Sequence, residues 1–183
     1  GIRDVAVTGV QTCALPIYAS MEWYVRSDTI TSLGELKERV LAALSAGAHA
    51  CGCTMDHTWV GHPYADMVTN EHLGAAYALN ALSTGRHVTD PRSGGHRVVG
   101  STDMGNVSHL VPSIHPMIAC APRGTAIHTS DFARHAVSAS ADRAVIDGAI
   151  SMALTGIDFW VSERLRHDIA EDFRIANPDR AVL

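Results

Sequence analysis

The chain has 183 residues, of which 46% are apolar and 18% charged, and its formal net charge is −5. This length fits one ordinary domain or two small ones with a hydrophobic core. The acidic balance and the absence of a basic run argue against a nucleic-acid partner, and no stretch approaches the roughly 20 apolar residues that span a bilayer. A small molecule or another protein chain is therefore the expected partner.

The cysteines and histidines set limits on redox compartment and metal binding. Four cysteines do not form a disulfide framework, which favours a reducing compartment and predicts a cytoplasmic location. Cys51 and Cys53 lie close to His49 and His57, and all four are zinc-ligand residue types. Two cysteines one residue apart, without a second pair, do not match the spacing of a structural zinc site. A helix end followed by a strand is the preferred interpretation.

The N-terminal segment 1–18 contains the string VTGVQTCALPIY, which resembles translated sequencing-adapter sequence. Polar residues interrupt its apolar stretch, and this argues against a secretory signal. We interpret the segment as an artefact that belongs to no domain. The protein's own sequence from Ala19 onward is then expected to be the C-terminal part of a longer protein.

Residues 19–68 predict a small α+β layer. Residues 21–27 alternate apolar and polar side chains, as a half-buried strand does. Ser32 and Glu35 have the spacing of a capping box, and the helix that follows has one apolar face and is expected to stop near Gly47. Residues 53–60 alternate again and predict a second strand.

Residues 69–183 predict an α/β fold, with a domain boundary near residues 68–70. Asn70 should cap a helix that ends at Gly85. Short strands are predicted at residues 96–99 and 114–121. Thr129 should cap a short helix, and two longer helices should run from about residue 142 and from Ser162. The last helix should turn Leu165, Ile169 and Phe173 inward. The first of the two longer helices should pack on a sheet through Val145, Ile146, Ala149, Ile150, Ala153 and Leu154.

The stretch from Gly100 to His128 combines residues of special backbone geometry with polar side chains. Its first residues, Gly100 to Asp103, follow a predicted strand end, where ligands bind in open α/β sheets. Asp103 either orients a ligand or caps a helix from Met104, and the spacing leaves both interpretations open. Asn106 is either a substrate donor or a helix-surface residue, and the surface interpretation is preferred.

His128 is the strongest candidate for a metal ligand in the chain. It follows an apolar step and precedes a predicted helix N-terminus, where a neutral imidazole suits Zn²⁺. A lone histidine is otherwise more often a packed or capping residue, so spacing alone does not decide its role. His115, just before Pro116, could point into the same cleft, although packing explains it equally well.

Three strings together resemble a known family: GSTDMGNVSHLVPSIHPMI, IHTSDFARHAVS and AVIDGAISMALTGIDFW. They look like the C-terminal part of the zinc-dependent amidohydrolases that include aminoacylases and carboxypeptidases, nearest to the branch of p-aminobenzoyl-glutamate hydrolases and aminoacylase-like dipeptidases. The resemblance runs from about residue 19 to about residue 175. It implies the C-terminal half of a catalytic α/β sheet domain over residues 69–183. Residues 19–68 would be the remnant of a small α+β lid or dimerisation domain.

The resemblance also implies a chemistry. Enzymes of this family cleave an amide bond of N-acyl or aryl-amide amino acids or of dipeptides, and they use two divalent ions, Zn²⁺ or in some cases Mn²⁺ or Co²⁺. The last histidine ligand of the family matches His128, and a homodimer through the lid domain is implied. The predicted cleft lining comprises Gly100, Ser101, Thr102, Asp103, Asn106 and His115.

The half of the family that supplies the other metal ligands and the general base has no match in this chain. Two-metal hydrolysis needs both ions and a carboxylate that moves the proton. The isolated chain is therefore expected to be inactive. The alternative function is a non-catalytic module that dimerises or binds a ligand through residues 19–68.

Overall fold

The computed structural model describes residues 18–89 and 101–178 of the chain. Within these residues the regular structure consists of helices, apart from one parallel bridge between Thr69 and Ser113. The helices, in chain order, are α1 (Ile30–Ala50), α2 (Glu71–Ser83), α3 (Met104–Ser108), α4 (Ser130–His135), α5 (Ala139–Val161) and α6 (Glu163–Ala176).

The predicted α/β fold is wrong for the described residues. The segments 21–27, 53–60 and 114–121 form no strands there, and the strand predicted at 96–99 lies outside the described residues. Alternating apolar and polar residues indicate an extended segment with one apolar side. A β-strand also needs a neighbouring strand that accepts and donates its backbone hydrogen bonds. Among the described residues, only the bridge between Thr69 and Ser113 supplies such a neighbour. Neither the α/β sheet nor the α+β layer therefore forms in this part of the chain.

Helix α1 confirms the first predicted helix but begins with a different cap. Thr29 Oγ1 accepts a hydrogen bond of 3.1 Å from the Ser32 N–H, and Ser32 Oγ accepts one of 3.2 Å from the Thr29 N–H. The capping box therefore lies three residues earlier than the predicted pair of Ser32 and Glu35. The helix also continues through Gly47, where we predicted its end, because a helical glycine lowers stability without breaking the helix.

Segment 21–27 lies beside α1, although no strand forms. A groove of about 390 Å³ runs between them, and Val25, Leu36, Val40 and Leu44 lie along it. Helix α1 nevertheless has no buried residue. The predicted strand is therefore wrong here, and both faces of the segment line the groove, since Tyr24 and Arg26 lie along it beside Trp23 and Val25.

The core of the described residues lies where α2, α5 and α6 pack together. Ile169 and Phe173 of α6 are 2% and 5% exposed, which confirms the predicted inward face of this helix. Ser162 Oγ accepts a hydrogen bond from the Leu165 N–H and caps the helix. The buried apolar residues are Tyr77, Ala81, Ala141, Ala144, Ile169 and Phe173.

Both predicted ends of α2 are confirmed. Asn70 Oδ1 accepts a hydrogen bond of 2.9 Å from the Leu73 N–H. At the other end Gly85 has a φ of 78°, and the N–H groups of Gly85 and Arg86 bond back to the carbonyl groups of Leu82 and Ala81. This is a Schellman motif, which needs a left-handed residue that glycine supplies at low cost.

Helix α5 buries the opposite face from the one that the sequence predicted. Val145, Ile146 and Ile150 are 69%, 60% and 43% exposed. The polar residues on the buried face are tolerated because they have partners, for example the Thr155 hydroxyl beside the Asn80 amide. The buried residues of α5 are Ala141, Ala144, Asp147, Ser151 and Thr155.

The sequence predicted no segment long and apolar enough to span a bilayer, but α5 is such a segment. By length and composition alone, this helix of 23 residues is long and apolar enough to cross a membrane, and 22% of its most apolar stretch is buried. Core helices of globular proteins meet the same criterion. On its inner face Asp147 forms an ion pair with Arg86.

Candidate functional site

The turn that opens the candidate site is held by its own backbone and hydroxyl groups. Gly100 lies outside the described residues. Thr102 accepts the Gly105 N–H at its carbonyl oxygen and the Met104 N–H at its hydroxyl, over 3.2 Å and 3.3 Å. Ser101 is exposed, and its Oγ lies 3.5 Å from Nη1 of Arg26. These contacts make a compact turn in which Ser101 is exposed and the Thr102 hydroxyl is engaged with the turn itself.

Asp103 occupies the N-cap position of α3 without acting as a side-chain cap. Its carboxylate makes no capping hydrogen bond, and the residue is exposed. The Thr102 hydroxyl lies 3.5 Å from Asp103 Oδ1. Asp103 therefore precedes α3 without capping it, and its carboxylate lies at the surface.

Asn106 and its neighbours fasten α3 to the segment that precedes α2. Asn106 Oδ1 accepts the Ala65 N–H and Nδ2 donates to the Pro63 carbonyl, both over 3.1 Å. Ser108, which is fully buried, accepts the Val68 N–H at 2.9 Å. At Gly105 a Cβ atom would overlap the carbonyl oxygen of Ala65. The amide of Asn106 is thus engaged with the chain's own backbone.

Asp66 and His109 form a polar junction that the sequence analysis did not single out. Asp66 Oδ1 accepts a hydrogen bond of 2.9 Å from the Ile30 N–H at the start of α1. His109 Nε2 lies 3.0 Å from the Asp66 carbonyl oxygen and 3.8 Å from Oδ1. The junction therefore links α1, the residues before α2 and the end of α3. No motif could have revealed it, because its members are more than 35 residues apart.

The two candidate histidines are both exposed. His115 follows Ile114, whose Cγ2 would lie 3.9 Å from a Cβ atom added at Gly74 of α2. His128 has a φ of 62° and directly precedes Thr129, whose Oγ1 accepts the Phe132 N–H and caps α4 as predicted. A left-handed histidine is uncommon, and such strain is often found at functional sites.

The described residues do not assemble a metal centre. No group of three or more His, Cys, Asp or Glu side chains among them could hold an ion. This holds for the Cys51 and Cys53 region as well as for His128. A single imidazole supplies one of the four ligands that zinc requires. The described part of the chain therefore does not fit a two-metal centre by itself.

The chain is similar to two known peptidases, although no established family profile matches it. It is 29% identical to the Xaa-Arg dipeptidase of Homo sapiens over 167 residues. This matched region covers 91% of this chain and 38% of that protein. It is 28% identical to the Xaa-Arg dipeptidase of Mus musculus over 175 residues, a region that covers 96% of this chain and 40% of that protein. The chain spans about two fifths of the length of these curated relatives. The similarity supports a relationship to the peptidases and amidohydrolases, specifically to proteins named as dipeptidases.

Proposed function

We propose that this chain is the C-terminal part of a metal-dependent peptidase that cleaves dipeptides or related N-acyl and aryl-amide amino acids. The observation that carries the proposal is the similarity to Xaa-Arg dipeptidase over 91% of the chain. The name of these relatives makes dipeptides with a C-terminal arginine the first substrates to test. Amides of the p-aminobenzoyl-glutamate type are the second.

In this proposal His128 contributes one metal ligand. Its exposed imidazole and its left-handed backbone support this role, because strained geometry persists where function requires it. The turn from Ser101 to Asp103 forms part of the cleft wall, with the Asp103 carboxylate free of any capping bond. The bound ion, Zn²⁺ or alternatively Mn²⁺ or Co²⁺, would supply Lewis acidity to the scissile carbonyl group.

The isolated chain should not hydrolyse dipeptides under this proposal. His128 cannot hold two ions alone, and no other group in the described residues completes a site. The remaining ligands and the general base would come from the part of the relatives that this chain does not match. A homodimer through residues 19–68 and a cytoplasmic location belong to the same proposal.

The decisive experiment uses the complete reading frame, recovered by sequencing the source DNA across codon 19. The protein made from it should hydrolyse an Xaa-Arg dipeptide, lose this activity with a chelator and regain it with Zn²⁺, Mn²⁺ or Co²⁺. His128→Ala should lower kcat/KM at least about 100-fold, because the loss of a ligand weakens binding of the metal ion. The matched control His167→Ala replaces an exposed histidine of α6 and should leave kcat/KM unchanged.

Two results would count against the proposal. One is hydrolysis that persists after complete metal removal. The other is a complete reading frame whose product has no hydrolytic activity, which is what a non-catalytic module would show; dimerisation through residues 19–68 is expected in both cases. Full activity of the His128→Ala variant would contradict the role of His128 as a metal ligand and leave the rest of the proposal standing.

A further inference from the structure

Two cysteines lie one residue apart at the C-terminal end of α1, and the proposed peptidase site uses neither of them. Cys51 is the C-cap of α1, Gly52 follows with a φ of 69°, and Cys53 begins the segment that leaves the helix. Both cysteines are exposed free thiols. Small molecules in the surrounding solution therefore reach both sulfur atoms.

The backbone of this turn holds the two cysteines close together. The Gly52 N–H donates to the His49 carbonyl over 3.0 Å, and the Cys53 N–H donates to the Ala48 carbonyl over 2.9 Å. These two bonds form a Schellman motif around the left-handed glycine. Consecutive Cα atoms are about 3.8 Å apart, so the two cysteine Cα atoms lie less than about 7.6 Å from each other. A disulfide joins Cα atoms about 4.4–6.8 Å apart, and a tight turn brings this pair into that range.

The Cys53 thiol already folds back over the turn towards Cys51. Its Sγ donates a hydrogen bond of 3.6 Å to the Cys51 carbonyl oxygen. A thiol is a weak donor, so this contact is easily given up when the side chain rotates. Gly52 absorbs the change of backbone angles that a small ring requires, because it has no Cβ atom. Space is available as well, since no atom lies within 4 Å of a Cβ added at Gly52.

We propose that Cys51 and Cys53 form a reversible thiol–disulfide switch at the end of α1. The thiolate of one cysteine attacks a small-molecule disulfide such as oxidised glutathione, which gives a mixed disulfide and releases one small thiol. The other cysteine then attacks the protein sulfur of the mixed disulfide and releases the second small thiol. The protein pair is oxidised to one disulfide, and the small disulfide is reduced to two thiols that carry the two protons.

The segment that follows the pair runs back along α1, so the switch acts on more than the turn. The ring centroid of Trp59 lies 4.1 Å from Nζ of Lys37, and the Asp66 carboxylate accepts the Ile30 N–H at the start of the helix. Residues 53–66 are thus attached to α1 near its end, its middle and its start. A disulfide in the turn restricts opening of the first attachment, because cross-linked residues have fewer open conformations. Oxidation is therefore expected to stiffen the end of α1.

A permanent structural disulfide fits this pair less well than a switch. The ring would enclose a single residue, and both cysteines are exposed. Strained and exposed disulfides are the ones that are readily reduced. In the cytoplasmic location proposed for the chain, disulfides are usually transient.

A metal ion and a second copy of the chain also fit the pair less well. Zinc takes four ligands, and no group of three or more ligating side chains exists among the described residues. A disulfide between two copies competes with the neighbouring thiol of the same chain. Over such a short connection that thiol has an effective concentration of about 1 mM or more.

The test uses the chain with Cys13→Ser and Cys120→Ser, so that Cys51 and Cys53 are its remaining thiols. With oxidised glutathione at neutral pH, this protein should lose both thiols, form an internal disulfide and regain the thiols with dithiothreitol. The matched controls add Cys51→Ser or Cys53→Ser, and each should keep glutathione on its single cysteine. The bound glutathione in the pair should be at least about tenfold lower than in these controls, because the neighbouring thiol displaces it. Intact-protein mass spectrometry measures each species, and circular dichroism checks the helices.

Hydrogen exchange measures the structural effect of the switch. Exchange of the Cys53 amide, which donates to Ala48, should be slower in the oxidised protein than in the reduced one. Exchange of the Ile30 amide at the other end of α1 should not change. An internal disulfide with unchanged or faster exchange at Cys53 would contradict the stiffening.

Other outcomes overturn the switch itself. Stable glutathione adducts on both cysteines, or disulfide-linked dimers, would show that the ring does not form. Equimolar zinc bound by the reduced pair and lost in both serine controls would identify a metal site instead. The inference does not depend on the proposed function, because none of these measurements uses peptide hydrolysis.

Discussion

The Arg86 guanidinium donates a hydrogen bond of 2.9 Å from Nε to Asp147 Oδ2 and one of 2.7 Å from Nη1 to the Ala119 carbonyl. It therefore joins the end of α2, the buried face of α5 and the segment that crosses both helices. The two side chains of the ion pair are only 23% and 11% exposed. Replacing one residue of such a shielded ion pair is destabilising, because the other charge stays buried without its partner.

We predict that Arg86→Met lowers the free energy of unfolding by about 2 kcal/mol, since it leaves the Asp147 carboxylate without its charged partner. Urea denaturation of the chain measures this. Arg134→Met is the control, because the pair of Arg134 with Asp131 is 72% and 57% exposed. That substitution should cost no more than about 0.5 kcal/mol. Equal losses for both variants would contradict the structural role of Arg86.

Gly105 should tolerate no side chain. A Cβ atom there would overlap the backbone carbonyl of Ala65, and backbone cannot swing away as a flexible side chain can. We predict that Gly105→Ala destabilises the chain by about 2 kcal/mol or more. Gly156→Ala is the matched control, because Gly156 lies in α5 with nothing within 4 Å of an added Cβ. It should raise stability by about 0.5–1 kcal/mol. Thermal unfolding should show a lower melting temperature for Gly105→Ala and a higher one for Gly156→Ala.

The sequence predicted local features of this chain well and long-range features poorly. Asn70, Thr129 and Ser162 cap helices as predicted because a cap depends on residues within one turn. The buried face of α5 was predicted wrongly because it depends on what lies beside the helix. Asp147 is buried through its partner Arg86, which is 61 residues away.

The same distinction applies to the candidate site. The turn from Ser101 to Asp103 could be recognised from its residues, but its attachment to residues 63–68 through Asn106 and Ser108 could not. Alternating apolar residues predicted strands where the described chain has no partner strand. Periodicity specifies which side of a segment is apolar, and a sheet forms only when another segment supplies the hydrogen bonds.

Asp66 should stabilise the start of α1 from outside that helix. Its Oδ1 accepts the Ile30 N–H, one of the amide groups that a helix leaves without an internal partner. We predict that Asp66→Ala costs about 1 kcal/mol and speeds hydrogen exchange of the Ile30 amide. Asp56→Ala, which replaces an exposed aspartate before the junction, is the control and should change neither. Unchanged exchange at Ile30 in the Asp66 variant would contradict the contact.

The pair of Glu171 and Arg174 makes a prediction about pH. The hydrogen bond from Arg174 lowers the pKa of the Glu171 carboxyl group below its ordinary value. A lowered folded-state pKa contributes stability above the pKa of the unfolded state, and this contribution is lost as the pH falls through the folded-state pKa. NMR titration should find the low pKa, and Arg174→Gln should raise it. The effect on stability should be small, because both side chains are exposed.

His128 offers a way to separate backbone strain from chemistry. At a φ of 62° a β-branched residue is strongly disfavoured, whereas asparagine tolerates this region. We predict that His128→Val lowers the free energy of unfolding by about 1–2 kcal/mol and that His128→Asn changes it by less than about 0.5 kcal/mol. Urea denaturation of both variants measures the difference, with Ile127→Val as the neighbouring control. Equal losses for valine and asparagine would show that the imidazole itself stabilises the fold. If asparagine keeps the stability and yet abolishes metal binding in the complete protein, the histidine is required for its chemistry and not for the turn.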